Sequence, residues 1–162
     1  MLETIDVLTG SLYHKNPQVR AKAAHALGNR GVRDERAISS LIQMLALDGK
    51  DSSPEVRIQA AYALGSIGGD RVLSPLGVAL RHDKDARVRA MAADALRIVG
   101  DKVAGADLRH GSWDRSPIVR AKSARAMGDL NIRTSIDALE ALLDDKMIAE
   151  VAREAIAKIK GD

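Results

Sequence analysis

The histidines are the first residues to test for chemistry, because imidazole serves as a base, proton shuttle or metal ligand near neutral pH. His14, His25, His82 and His110 stand far apart, with no His-x-x-x-His spacing to put two on one helix face. His82–Asp83 is the nearest approach to a paired site, and His-Glu dipeptides are absent. The chain has no cysteine, so disulfides, thiolate metal sites and cysteine nucleophiles are excluded. Gly68–Gly69–Asp70 lacks the Lys-Ser pair after it and the strand before it that a phosphate loop needs. These residues predict a non-catalytic chain with no cofactor and no metal.

A second set of charges is regular rather than clustered. Arg57, Arg89 and Arg120 each follow a valine, and Asp51, Asp83 and Asp114 each precede one of these arginines by six residues. Arg20 holds the same place, with His14 where an aspartate would stand. A planar guanidinium pairs well with a carboxylate at a helix entrance. The set therefore reads as a structural ladder tying neighbouring units together. It ends where the pattern becomes Ala152 and Lys146.

The elements that carry these arginines are copies of one another. In Pro54–Gly68, PEVRIQAAYALGSIG, Ser53 is a fitting N-cap, Pro54 suits the first helical position, and glycines mark the far end. Val56, Ala60, Ala63, Leu64 and Ile67 form one apolar stripe at helical spacing. The segment recurs at 16–31, 85–100 and 116–131, with a degraded copy at 150–161. The anchors Val19, Val56, Val88, Val119 and Val151 are separated by 37, 32, 31 and 32 residues. Such a period belongs to stacked-repeat proteins, whose units bury their faces only against neighbours. The expected units are 1–31, 32–68, 69–100, 101–131 and 132–162, together one domain.

Each unit is expected to pair a first helix with a second. The first helices are Leu2–Tyr13, with Ile5, Leu8 and Leu12 inward, then Asp34–Leu47, Asp70–Arg81 bent at Pro75, Asp101–His110 and Thr134–Leu143. The second are Pro17–Arg30, Pro54–Ile67, Ala86–Val99, Pro117–Leu130 and Glu150–Lys160. Asp48–Ser53 supplies the extra length of the first step as a surface turn. Trp113, the lone tryptophan, is expected to plug the gap beside the short Asp101–His110 helix.

The repeated pattern P-x-V-R-x-x-A-A-x-A-L-G-x-I-G resembles the HEAT-like repeats of the short phycobilisome-lyase type. The resemblance covers nearly the whole chain. It implies an all-α fold, an α-solenoid built as a right-handed superhelix of about five antiparallel helix pairs. It further implies that the Val-Arg helix lines the concave side. The residues of that helix opposite the apolar stripe then form a partner-binding face. These are Lys22 and His25 in the first unit, and Ile58, Gln59 and Tyr62 in the second. Met91 and Asp94 follow in the third, and Ile118, Lys122 and Arg125 in the fourth.

Apolar residues amid charges suit a protein-binding patch, centred here on Tyr62 and Met91. The reading is a non-catalytic scaffold for another protein or peptide, itself a monomer or weak dimer. A nucleic-acid-binding solenoid is one alternative, but acidic residues interleave with Lys22, Lys122 and Arg125, and the net charge is only +3. An accessory subunit of a bilin-lyase-like chromophore attachment system is the alternative that the resemblance supplies. The absence of any long apolar run points away from a membrane and toward the cytoplasm.

Overall fold

A computed structural model describes residues 4–46 and 51–161. Leu2, Leu47 and Asp48–Lys50, on which parts of the expected first helix, third helix and surface turn fall, lie outside the described residues. Ten α-helices follow one another among the described residues. They are α1 (Ile5–Ser11), α2 (Pro17–Asn29), α3 (Glu35–Leu45), α4 (Pro54–Ile67) and α5 (Asp70–His82). Then come α6 (Ala86–Val99), α7 (Gly105–Gly111), α8 (Pro117–Asp129), α9 (Ile136–Ala141) and α10 (Ala149–Lys160). Short 3-10 turns at Lys102–Ala104, Arg133–Ser135 and Leu142–Asp144 flank α7 and α9. No strand occurs among the described residues.

The even-numbered helices pack side by side as one layer, and the odd-numbered helices form the other. Between the layers runs a continuous core. Leu27, Leu64, Leu96 and Met127 enter it from the even layer, and Leu12, Leu41, Leu80, Leu108 and Leu139 from the odd layer, all with no exposed surface. Each such leucine contributes about 1.5–3 kcal/mol by leaving water. No single hairpin encloses its own apolar stripe, so stability comes from stacking.

The even layer is the tighter one because its contact points are small. A Cβ on Gly28 would lie 2.7 Å from Ala63 Cα, one on Gly65 2.7 Å from Ala95 Cβ, and one on Gly128 2.6 Å from Ala155 Cα. Only hydrogen side chains permit such backbone approach. In the third unit the equivalent residue is Arg97.

Several expectations change. Ile5 is 39% exposed rather than inward. Trp113 does not plug a gap: it is 69% exposed, and the space beside α7 is closed by Gly111 against Ser123 and Leu80. Ser53 and Ser116 occupy N-cap positions without capping. Their own N–H groups donate instead to Asp51 Oδ1 (2.9 Å) and Asp114 Oδ1 (2.8 Å), so the aspartate two residues earlier closes the turn. Helix α5 continues through Pro75.

Candidate functional site

The regular arginines enter the fold as cross-links between successive units. Arg57 lies on the buried side of α4, with none of its side chain exposed. Its Nε and Nη2 donate to the Asp83 carboxylate at 2.7 and 2.9 Å, and Nη1 donates to the carbonyls of Asp51 (2.8 Å) and Ser52 (3.3 Å). The residue six before each arginine (His14 for Arg20, an aspartate for the others) thus offers its carbonyl, while the carboxylate comes from the following unit. The same fork joins Arg20 to Asp51 and Arg89 to Asp114, while Arg120 directs both Nε and Nη2 to the single oxygen Oδ2 of Asp145. A lysine could not reproduce the planar geometry.

Asp145 completes the series. Its place was legible in the sequence as 31 residues beyond Asp114, but the Asp-x5-Arg spacing hid it because no arginine follows. His14, at the head of the series, uses its ring: Nδ1 accepts the Asn16 N–H at 3.0 Å, as the aspartates do for their own turns.

Three carboxylates of the ladder, Asp51, Asp114 and Asp145, titrate low for a common reason. Burial pushes Asp51 upward, yet the hydrogen bonds from Arg20 and the Ser53 N–H outweigh it and lower its pKa. Asp114 balances burial against Arg89 and the Ser116 N–H with the same result. Asp145 is lowered first by Arg120 and then by the Met147 N–H. Hydrogen bonds to the charged form favour that form.

On the outer face of the even layer, the first two units build a connected cluster. Tyr62 Oη donates to Asn29 Oδ1 at 2.7 Å, and its ring stacks on His25 at 5.2 Å with an 18° tilt. Asn29 Nδ2 lies 2.9 Å from His25 Nε2, and His25 Nδ1 lies 3.0 Å from Gln59 Oε1. Gln59 Nε2 in turn donates to Glu55 Oε1 at 3.0 Å. With the proton on Nδ1, every donor meets an acceptor from Tyr62 to Glu55. Beside it, Ala21, Lys22, His25, Glu55 and Gln59 line a shallow cleft of about 200 Å³.

The remaining face residues are not gathered there. Ile58 and Met91 are half-buried and pack onto the core, so they do not form an open apolar centre. Ile118 is 51% exposed near the start of α8. Asp94 and Lys122 form an ion pair at 2.5 Å across α6 and α8, and Arg125 is exposed on the next turn of α8. Arg97 reaches Asp94 and Asp129 at 3.5 Å each, and Lys158 meets Asp129 at 2.5 Å. The face cations are thus largely neutralised by facing acids. Sequence reading did not single out Arg97; the break in the Ala-Leu-Gly pattern at Ala95-Leu96-Arg97 was the available signal.

No helix among the described residues is long and apolar enough to cross a membrane. Two family profiles match the chain, HEAT repeats over residues 47–116 and the PBS lyase HEAT-like repeat over residues 119–145. No curated protein sequence matches it. Among solved structures, a chain of the complex of CpcE and CpcF of phycocyanin lyase from Nostoc sp. PCC7120 superposes with a TM-score of 0.82 at 22% identity. That match covers 100% of this chain and 67% of the other. An engineered protein from a structural genomics consortium gives a TM-score of 0.67 at 27% identity, over 98% of this chain and 81% of its own. A designed armadillo repeat protein gives 0.65 at 21%, over 96% and 82%. The period, the paired helices in two layers and the matched profiles agree that this chain is an α-solenoid of HEAT-like repeats, of which residues 119–145 match the PBS lyase type.

Proposed function

We propose that the protein is a non-catalytic scaffold that takes a protein or peptide segment along the outer face of the even layer. The observation that carries this reading is the chain of hydrogen bonds from Tyr62 through Asn29, His25 and Gln59 to Glu55. Ordering exposed side chains costs conformational entropy, and here that cost is met before any partner arrives. The result is a fixed aromatic stack edged by amides and a carboxylate, the chemistry that receives a peptide backbone. Close glycine contacts in the even layer also favour curvature toward it, which would make this the concave face. The arginine ladder serves this face indirectly by holding the units in register.

Replacing Tyr62 and Met91 together by Asp tests the reading. Helicity is expected to stay intact while capture of the partner from native lysate, readily seen with wild type, is lost. A partner that binds the double variant as tightly as wild type would overturn the assignment. A second reading, an accessory role in chromophore attachment, is favoured by the PBS lyase HEAT-like repeat at residues 119–145 and the likeness to the phycocyanin lyase chain. Co-expression with a bilin-producing system should then give a chain that purifies with visible absorbance; a colourless product would dismiss it.

A further inference from the structure

One long edge of the solenoid, where each odd helix turns into the following even helix, collects most of the ring-bearing side chains. Tyr13, His82 and Trp113 occupy the same position, immediately before His14, Asp83 and Asp114. Tyr13 is 66% exposed and Trp113 69%, and His82 is exposed between them. Tyr13 is held by its hydroxyl, 2.8 Å from Ser40 Oγ, leaving the ring open. Three repeat steps separate Tyr13 from Trp113, roughly 25–30 Å at ordinary helix spacing.

The residue on the other side of four of the five ladder positions is basic. Lys15, Lys84, Arg115 and Lys146 are all exposed, and none has an ion pair among the described residues. Ser52 interrupts the row, and the neighbouring Lys50 lies outside the described residues. The ladder produces this imbalance. Asp51, Asp83, Asp114 and Asp145 are each engaged by an arginine, and Asp85 by Arg87. Asp144 is the one exposed carboxylate left beside the row among the described residues. The ladder arginines also fix the backbone that carries the cations, donating to the carbonyls of Lys15 (3.0 Å), Lys84 (3.3 Å) and Arg115 (3.2 Å). Between the third and fourth turns lies an open cleft of about 400 Å³, bordered by His82, Lys84, Arg89 and Arg115.

We infer that this edge binds single-stranded nucleic acid, its phosphates on the row of cations and its bases on the exposed rings. Rings and cations recur together in the first, third and fourth units, which supplies what such a strand requires: an electropositive track with flat faces for stacking. An acidic protein segment would use the cations but leave the rings without a role. The edge is distinct from the even-layer face and does not depend on the scaffold reading.

Trp113 is the only tryptophan, so its fluorescence reports on this edge alone. Titration with an unstructured oligothymidylate of about 20 nucleotides at about 50 mM salt is expected to quench it. If four phosphates are neutralised, affinity falls about 50-fold between 50 and 200 mM salt, following a slope of about −2.8. Lys84→Glu with Arg115→Glu should weaken binding about tenfold or more. Trp113→Ala, followed by anisotropy of a labelled oligonucleotide, should cost about fivefold or more. Tyr62→Asp with Met91→Asp should change nothing, which separates this test from that of the scaffold face. All five edge and face positions named are at least partly exposed, and circular dichroism checks that each variant keeps its helices. Absence of binding at low salt, binding unaffected by the charge reversal, or equal binding of poly-glutamate would each overturn the proposal.

Discussion

Two neighbouring seams of the even layer solve the same packing problem differently. Between α4 and α6, Gly65 lies against Ala95 and the Arg57–Asp83 pair is buried, with side chains 0% and 2% exposed. Between α6 and α8, Arg97 stands where the glycine would be, and the Arg89–Asp114 pair is 5% and 12% exposed. The first seam is held by backbone contact and a dehydrated fork. The second is wedged by a long cation and closed at its surface by Asp94, Lys122 and Asp129. Arg97 Nε and Asp94 Oδ1 are buried there without a hydrogen-bond partner, since 3.5 Å is too long. Small residues set how closely two units approach, and a single larger one shifts the work from packing to charge.

Substitutions should separate the two seams. Arg57→Ala removes one partner of a dehydrated pair and strands Asp83, so stability should fall by about 3–5 kcal/mol in urea unfolding. Restoring neutrality with Arg57→Ala and Asp83→Ala together should cost less than the two single changes summed. If both costs simply added, the fork would not be a coupled unit.

Gly65→Ala comes next. The new Cβ would stand 2.7 Å from Ala95 Cβ and 2.8 Å from Ala95 Cα, and backbone cannot yield as a flexible side chain can. A loss of about 1–3 kcal/mol is expected, despite the better helix propensity of alanine. A stabilised variant would show that the helices slide apart freely.

Arg97→Ala should change stability by about 1 kcal/mol or less, because its ion pairs are long and partly solvated. A drop comparable to that of Gly65→Ala would mean the wedge carries the second seam.

The most graded handle is pH. Asp51, Asp114 and Asp145 have folded pKa values below the ordinary carboxylate value, so the unfolded chain binds their protons first. Their stabilisation is present above the unfolded pKa near 3.9 and is lost as pH falls through the lower folded values. Thermal melts should be flat with respect to these groups from pH 7 to about 5 and decline below about 4. A midpoint that held or rose on acidification to about pH 2.5 would contradict the ladder's electrostatic account.

Much of the fold was visible in particular residues. Val19, Val56, Val88, Val119 and Val151 carried the period, and the Ala-Leu-Gly runs carried the close contacts, because helical spacing and small volume are local properties. The ladder's members were visible too, but their partners were not. A carboxylate six residues before an arginine looks like its mate, yet the chain direction turns it toward the previous unit and leaves only its carbonyl for that arginine. Trp113 misled for a related reason: size suggests burial, and only the placement of Gly111 against Ser123 shows that no gap remained.

By itself the sequence determined the repeat unit, its helical type and the residues that must face inward, since each follows from periodicity and side-chain volume along one stretch of chain. Only the tertiary structure decided which carboxylate each arginine holds, that Tyr62, Asn29, His25, Gln59 and Glu55 join into one cluster, and that rings and unpaired cations share one edge. Those are relations between units about 30 residues apart, fixed by how closely successive helices stack, and no local pattern encodes that distance.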